Sequence, residues 1–426
     1  MAQAIVIGGG AGAVRAAGAL ARAGRDVVLV QEGGDVAGLA HPEVPTGTGL
    51  SRFVSPPAGW RLTPAVTSGV MLGRDCRCVR TLPLSRSTLP GIFSASELPS
   101  AFAAWARSRS QVELSRLIGG GKETRFYKDW VVQHFGEPVY NRLYAPYCQR
   151  RFGDPAELTV NVARSAHAAG VGEWCGREIG PAHELADALS GVELALNAVV
   201  TGVSPGKVTT TNGVYEGEVY FDLPPVRLVE LLGSASPPGL ANEVSRLRCR
   251  HALEVTVSGG HALPVNTHVV DGPLPFYRLV RHGMLPGNGH LCGTVCVQFA
   301  LEDHDALWSL ANVRLVAQVV AALQDLGLDD VSDGDARVQR VANHHPVWAY
   351  THHARMRQYA LRLSELALTP VGRAGLFAPI EGQAEAAFLA DIAGESVPIR
   401  ELFRRHVDPP VVDDDGSASL ADFVLG

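Results

Sequence analysis

The sequence predicts an α/β protein in which a parallel sheet flanked by helices is interwoven with a second domain of α+β character. Three observations carry this. Residues 4–32 read as an apolar strand (Ala4–Ile7), a glycine turn, an Ala-rich helix and a second strand (Asp26–Gln31), the pattern of a βαβ unit. At 426 residues the chain is too long for one simple core, so two domains are expected. Strand-like and helical runs then alternate along the chain without a repeat or a long linker, so the two domains are expected to be woven together by several crossings.

The first unit is built to approach a phosphate group. Gly8 permits a tight strand-to-helix turn, Gly10 lets the backbone come close to a pyrophosphate, and Ala13 keeps helix and strand in contact. Ala11 and Gly12 open the helix, whose free N–H groups and positive dipole end favour phosphate oxygens. Glu32 follows about twenty residues on, where a carboxylate accepts hydrogen bonds from an adenosine ribose. Strand, turn, helix and acid together make this a Rossmann-like dinucleotide site.

Farther along, residues 33–75 are rich in Gly, Pro, Ser and Thr and read as loop with short strands. A helix is expected over Ser94–Leu117, and a second helical block over Phe126–Arg151, broken at Gly136-Glu-Pro138 and at Pro146. Gly180–Leu189 reads as a capped helix, followed by strands up to Pro224. Residues 249–300 alternate as half-buried strands, Asp305–Leu326 reads as helix, and a further helix follows Glu381. The Asp413-Asp414-Asp415 run reads as a solvated terminus.

Composition narrows the function classes. A net charge of −6 gives no electrostatic footprint for nucleic acid or an anionic membrane. No apolar run reaches membrane-spanning length, and the first strand follows Met1 closely, so a cytoplasmic protein without a leader is expected. The seven cysteines show neither a disulfide framework nor a zinc spacing. Only Lys122, Lys128 and Lys207 supply lysine among 37 basic residues.

Four stretches together resemble the flavin-dependent amine oxidase superfamily, in its protoporphyrinogen oxidase-like, desaturase-like and UDP-galactopyranose mutase-like branch. They are the N-terminal fingerprint, Asp129–Arg164, Gly180–Pro224 and Leu368–Ile392. The resemblance implies FAD as cofactor, with a discontinuous FAD-binding domain over 1–75, 180–248 and 340–426 and a substrate domain over 76–179 and 249–339. It also implies that the Val200 backbone meets the adenine, and that Gly372 and Arg373 form a turn near the pyrophosphate or ribityl chain. A helix beginning near Glu381–Gln383 would aim its positive end at the flavin ring, which makes Gln383 a cofactor residue. Arg373 reads equally as a surface residue in a turn. No His or Cys near these motifs suggests a covalent flavin link.

Two departures matter. Val36-Ala37-Gly38-Leu39 stands where the family has Gly-Gly-Arg, and the strand HALEVTVSG carries Glu254 near the position of the flavin-side lysine of amine oxidases. A standard amine oxidase is therefore disfavoured against a desaturase or mutase. With redox chemistry supplied by a flavin, the protein has to orient a C–H bond and manage a proton. His345 could take that proton, with Trp348 and Tyr350 walling the pocket in the segment His344–Tyr350, or these residues are structural parts of a domain crossover. Arg278, beside Tyr277, suits a carboxylate or phosphate, or reads equally as an exposed strand arginine. Tyr140, Tyr144 and Tyr147 share helical spacing, a stripe that serves either as core or, through an inward hydroxyl such as that of Tyr144, as pocket. His344-His345 and His352-His353 lack the carboxylate or Cys that would complete a metal site.

The expectation is an FAD-dependent oxidoreductase that desaturates a small or medium organic substrate, in a setting such as bacterial specialised metabolism, with oxygen or another electron acceptor. A non-redox flavin isomerase or mutase, and a non-catalytic relative acting in binding or assembly, are the alternatives.

Overall fold

The computed structural model describes residues 3–9, 11–33, 45–47, 68–71, 79–81, 89–117, 124–160, 162–163, 173–175, 189–263, 266–281 and 293–377. The chain divides into two compact units. One is drawn from Met1–Leu62, Gly176–Arg248 and Thr351–Asp413, the other from Thr63–Cys175, Cys249–Tyr350 and Asp414–Gly426.

The first unit is organised by a five-stranded parallel sheet. Its strands run in the order Leu368–Pro370, Glu218–Phe221, Ala4–Ile7, Val27–Val30, Val192–Ala195. The central strands Ala4–Ile7 and Val27–Val30 are apolar at every position because both faces are covered, and every residue in them is buried. Burying each large aliphatic side chain there contributes about 1.5–3 kcal/mol. The helix Ala11–Arg22 turns Ala13, Val14, Ala16, Ala17 and Leu20 onto this sheet. Alanines at these positions let the helix axis lie close to the strands. A small antiparallel sheet (Val200–Ser204, Lys207–Thr210, Gly213–Glu216) and the helix Pro225–Leu232 follow in the same unit. Pro225 starts that helix at a position whose N–H would have no intrahelical partner.

The second unit is built on a seven-stranded mixed sheet. Its order is Ser332–Pro346, Cys249–Ser258, Thr294–Leu301, Phe276–Arg281, Asn266–Val269, Ser68–Met71, Val79–Thr81. Alternation sends Leu253, Val255 and Val257 to one face, where Val295, Val297 and Phe299 join them. The helix Asn312–Asp325 covers that face with Leu315, Val316, Val319, Ala322 and Leu323. The opposite face is polar and carries the cluster described below.

Three sequence expectations come out differently or fall outside the described residues. Pro146 does not break the second helical block. Tyr127–Phe135 and Glu137–Val139 lead into a five-residue wide turn, Tyr140–Tyr144, and straight into Ala145–Arg151. Pro146 is tolerated because it sits in the first turn of that last segment, after the wide turn has changed the hydrogen-bond pattern. The helix expected over 305–326 is two helices, Ala306–Ser309 and Asn312–Asp325. The helices expected over 180–189 and after Glu381 lie outside the described residues, apart from Leu189.

Candidate functional site

In the first unit Gly8 makes a tight turn between the first strand and the helix. Gly8 stands at φ +131°, a conformation that L side chains rarely adopt. A Cβ built there would lie 3.1 Å from the Asp222 Cβ and backbone oxygen, and 3.4 Å from Ala13 Cβ. The Gly8 N–H donates to the Val30 carbonyl (3.0 Å), which fixes the turn at the carboxyl edge of the parallel sheet. At neighbouring Gly9 a Cβ would come within 2.8 Å of Gln31 Nε2, the end of a flexible side chain. Ala11 and Gly12 form the first helical turn, and Gly10 lies outside the described residues.

Glu32 is exposed just past the second strand, and the first residue of the neighbouring small sheet is Val200. One side chain brings them together. Arg227, on the helix Pro225–Leu232, lies 3.5 Å from the Glu32 carboxylate and donates to the Val200 carbonyl (3.4 Å) and to Glu230 (3.1 Å). The two positions assigned to the adenosine end thus converge on one guanidinium, although 168 residues separate them in sequence.

The C-terminal turn arrives at the same edge. Asp222 ends the strand Glu218–Phe221, and its N–H donates to the Ile7 carbonyl (2.8 Å). Its carboxylate accepts from the Ala374 N–H (3.1 Å) at the short helix Gly372–Leu376. Gly372 is left-handed (φ +63°), and any Cβ there would collide with the Asp222 carboxyl group. Asp222 therefore joins the Gly8 turn to the Gly372 turn. Sequence reasoning misses this residue. Its only local signal is an acid at a strand end before Pro224-Pro225. Arg373 sits in that short helix, and Gln383 lies outside the described residues.

In the second unit the polar face of the sheet carries a cross-strand row. Register places Gln339 beside Glu254, Glu254 beside Gln298, Gln298 beside Arg278, and Arg278 beside His268. Gln298 Nε2 donates to the Glu254 carboxylate (3.1 Å). A bulge between Phe276 and Arg278 shapes the row. Phe276 and Leu279 stay in the apolar core, while Tyr277 and Arg278 both turn to the polar side.

The segment Ala145–Arg151 lies over this face, and its last turn is held firmly. Arg150 donates to the carbonyls of Leu274 (2.8 Å), Phe276 (2.9 Å) and Gly272 (3.2 Å). Arg250 donates to the carbonyls of Gln149 (3.0 Å) and Arg150 (2.9 Å), placing a cation at the negative end of the helix. Arg151 is thereby directed to the polar face. Its Nη1 donates to the Tyr147 hydroxyl (2.8 Å), and its guanidinium lies 5.3 Å from the Tyr277 ring centroid and 4.8 Å from that of Phe152. Tyr147 also meets His268 Nδ1 (3.0 Å). Tyr277 makes an edge contact with His345 (6.1 Å), which packs against His344 (5.0 Å).

Of the residues proposed for chemistry, Tyr277, Arg278 and His345 therefore belong to one cluster, with Tyr147, Arg151 and His268 added. Tyr350 is 43% exposed and packs its ring at a tilt on Phe126 (5.1 Å). Trp348 is buried, and its carbonyl accepts the Thr159 N–H (2.9 Å). Tyr144 packs on Phe135 (4.8 Å), where burial raises its phenol well above the usual range. Among the described residues no group of three or more His, Cys, Asp or Glu side chains could hold a metal, and no helix is long and apolar enough to cross a membrane.

No protein-family model matches the sequence, and no curated protein sequence matches it. Solved structures do share its fold. Reduced UDP-galactopyranose mutase superposes with a TM-score of 0.69 at 11% identity, over 97% of this chain and 99% of that one. A protoporphyrinogen oxidase-like protein from Exiguobacterium sp. 255-15 gives 0.62 at 12% identity, over 95% and 98%. Cyclohexylamine oxidase from Brevibacterium oxydans gives 0.56 at 13% identity, over 96% and 99%. The resemblance to the flavin-dependent amine oxidase superfamily drawn from the sequence thus holds across nearly the whole chain, at the level of the fold.

Proposed function

We propose that this chain is an FAD-dependent oxidoreductase that dehydrogenates a small or medium organic substrate. One observation carries the reading. Three chain segments far apart in sequence meet at the carboxyl edge of one parallel sheet, where the positive-φ turns at Gly8 and Gly372 both pack against Asp222. A tight turn of this kind, leading into the start of a twelve-residue helix, suits a pyrophosphate. Glu32 would hold the ribose, with the Val200 backbone at the adenine, and the Gly372 turn would approach the middle of the cofactor.

When bound, FAD supplies the hydride-accepting chemistry. The protein's part is to orient the substrate and move a proton. His345 is partly exposed beside Tyr277 and suits the role of base; Arg278 suits substrate binding. Trp348 and Tyr350 follow on the same segment and are assigned to the pocket wall, and Tyr144 to its helical side. The Gly10→Val variant tests the cofactor assignment: it should purify folded and without flavin, because the branched side chain blocks approach to the pyrophosphate. Normal FAD content in that variant would remove the basis of the proposal.

A second reading is favoured by Glu254, which stands on the sheet strand near the family's lysine position and is hydrogen-bonded to Gln298. A flavin isomerase or mutase without net redox chemistry would need no such lysine. It predicts turnover only after prereduction and no net hydrogen peroxide.

A further inference from the structure

The strand Ser332–Pro346 does not run evenly into His345. It pairs Val341 with Ala252 and His345 with Arg250, so Ala342, Asn343 and His344 stand opposite the single residue His251. A bulge of this kind disrupts the ladder and leaves its extra residues unpaired. Asn343 takes the left-handed conformation within it (φ +54°), which asparagine adopts more readily than most residues.

His251 takes the place of a ladder partner. The Asn343 N–H donates to its Nδ1 (3.0 Å), and its Nε2 meets the Asp303 carboxylate (2.6 Å). A backbone N–H can only donate, so Nδ1 carries no proton and the imidazole is the neutral tautomer with hydrogen on Nε2. Asp303 selects the same tautomer, because a carboxylate accepts from an Nε2–H. The ring is buried and lies flat on Trp308, 4.3 Å away with 15° between the planes. Both supports are themselves braced. The Glu302 N–H donates to the Asp305 carboxylate (2.7 Å), and the Glu302 carboxylate lies 3.2 Å from Arg250 Nε. Arg340, just before the bulge, donates to the carbonyls of Trp308 (3.0 Å) and Leu310 (2.6 Å). The strand is thus held before the bulge by Arg340 and after it by the pairing of His345 with Arg250, and His251 holds the middle.

We propose that His251 is a positioning residue for His345. Locked as one tautomer by Asp303, it holds the bulge Ala342–His344 in the shape that sets the His345 ring beside Tyr277. The inference rests on the flavin-enzyme reading only in treating His345 as the base; the bulge and its support stand on the second unit's own residues.

The test uses the full-length protein with isotope-labelled histidine, whose ring nitrogens are read by NMR, and hydrogen–deuterium exchange of the segment 341–346. In the unchanged protein the His251 ring should show a bare Nδ1 and a protonated Nε2. His251→Phe keeps a flat ring against Trp308 and loses both hydrogen bonds. It should speed exchange of the segment about two- to tenfold, the scale of one lost hydrogen bond, and shift the His345 signals. His251→Asn puts an amide oxygen near the place of Nδ1 and should restore both towards the unchanged protein. Asp303→Ala, made at an exposed side chain, should shift the same signals in the same direction by less, and it decides the matter if His251→Phe does not fold. A proton found on Nδ1, His345 signals that ignore both His251→Phe and Asp303→Ala, or His251→Asn failing as fully as His251→Phe would each overturn the proposal. Flavin content is measured on the same preparations. A protein with FAD in which His345 ignores His251 contradicts this inference alone, whereas a coupled pair in a protein that cannot take up FAD contradicts the flavin reading alone.

Discussion

Replacing Gly372 by alanine tests whether the two glycine turns are joined through Asp222. Two penalties can be worked from the structure. The left-handed conformation at φ +63° costs an L-residue about 1–2 kcal/mol. The new Cβ also collides with the Asp222 carboxyl group, which must swing away and give up its 3.1 Å bond from the Ala374 N–H. A hydrogen bond to a charged group is worth about 1.5–3 kcal/mol, so the whole change should destabilise the first unit by about 2.5–5 kcal/mol. Trimming Asp222 to alanine removes every atom in the collision. In that background Gly372→Ala should cost only the backbone share, about 1–2 kcal/mol. Urea unfolding of the four proteins, followed by circular dichroism, gives the coupling, expected at about 1.5–3 kcal/mol. An equal penalty for Gly372→Ala in both backgrounds would refute the reasoning, because the two turns would then be independent.

Three further outcomes are expected. Arg227→Ala should weaken FAD binding about two- to fivefold, the scale of a half-exposed ion pair, and leave the affinity for FMN, which has no adenosine, unchanged. Equal loss for both flavins in a fluorescence titration would contradict the placing of Glu32 and Val200 at the adenosine end. Under the proposed placing of Glu254 near the amine oxidases' lysine position, reoxidation of the reduced protein by oxygen should be slow in stopped flow; rapid reoxidation counts against that assignment. At the start of the helix Leu98–Leu117, the Ser94 hydroxyl (2.7 Å) and N–H (3.0 Å) both donate to Glu97, holding its carboxyl below the usual range. A lowered folded-state pKa adds stability that is present above the unfolded value and lost as pH falls through the folded one. Glu97→Gln should therefore lower the melting temperature at neutral pH and flatten its fall through the carboxylate range. An unchanged acid profile would show that the cap contributes nothing.

The parts of the fold written in contiguous residues are legible in the sequence. Ala4–Ile7, Ala11–Arg22 and Val27–Val30 announce themselves because burial on both faces, the turn and the helix face are all local demands. What joins distant segments is not legible in the same way. Asp222 lies about 150 residues from Gly372 and more than 200 from Gly8, and nothing in its neighbours says that it will stand between two glycine turns. The tyrosine stripe shows a second limit. Helical spacing puts Tyr140, Tyr144 and Tyr147 on one face, yet the wide turn Tyr140–Tyr144 breaks that phase, so Tyr144 goes to Phe135 and Tyr147 to His268. Likewise Arg150 and Arg151 read as one small basic cluster. Only the tertiary fold separates Arg150, spent on three carbonyls, from Arg151, directed onto the polar face. Tyr277 and Arg278 share that face through a bulge that strict alternation does not foresee.

The central claim is that the first unit holds FAD. The visible absorbance spectrum of the purified, unreconstituted protein, followed by denaturation and identification of any released chromophore, tests it most directly. A yellow protein that releases FAD is the predicted result. A colourless, folded protein that takes up no added FAD would contradict the account.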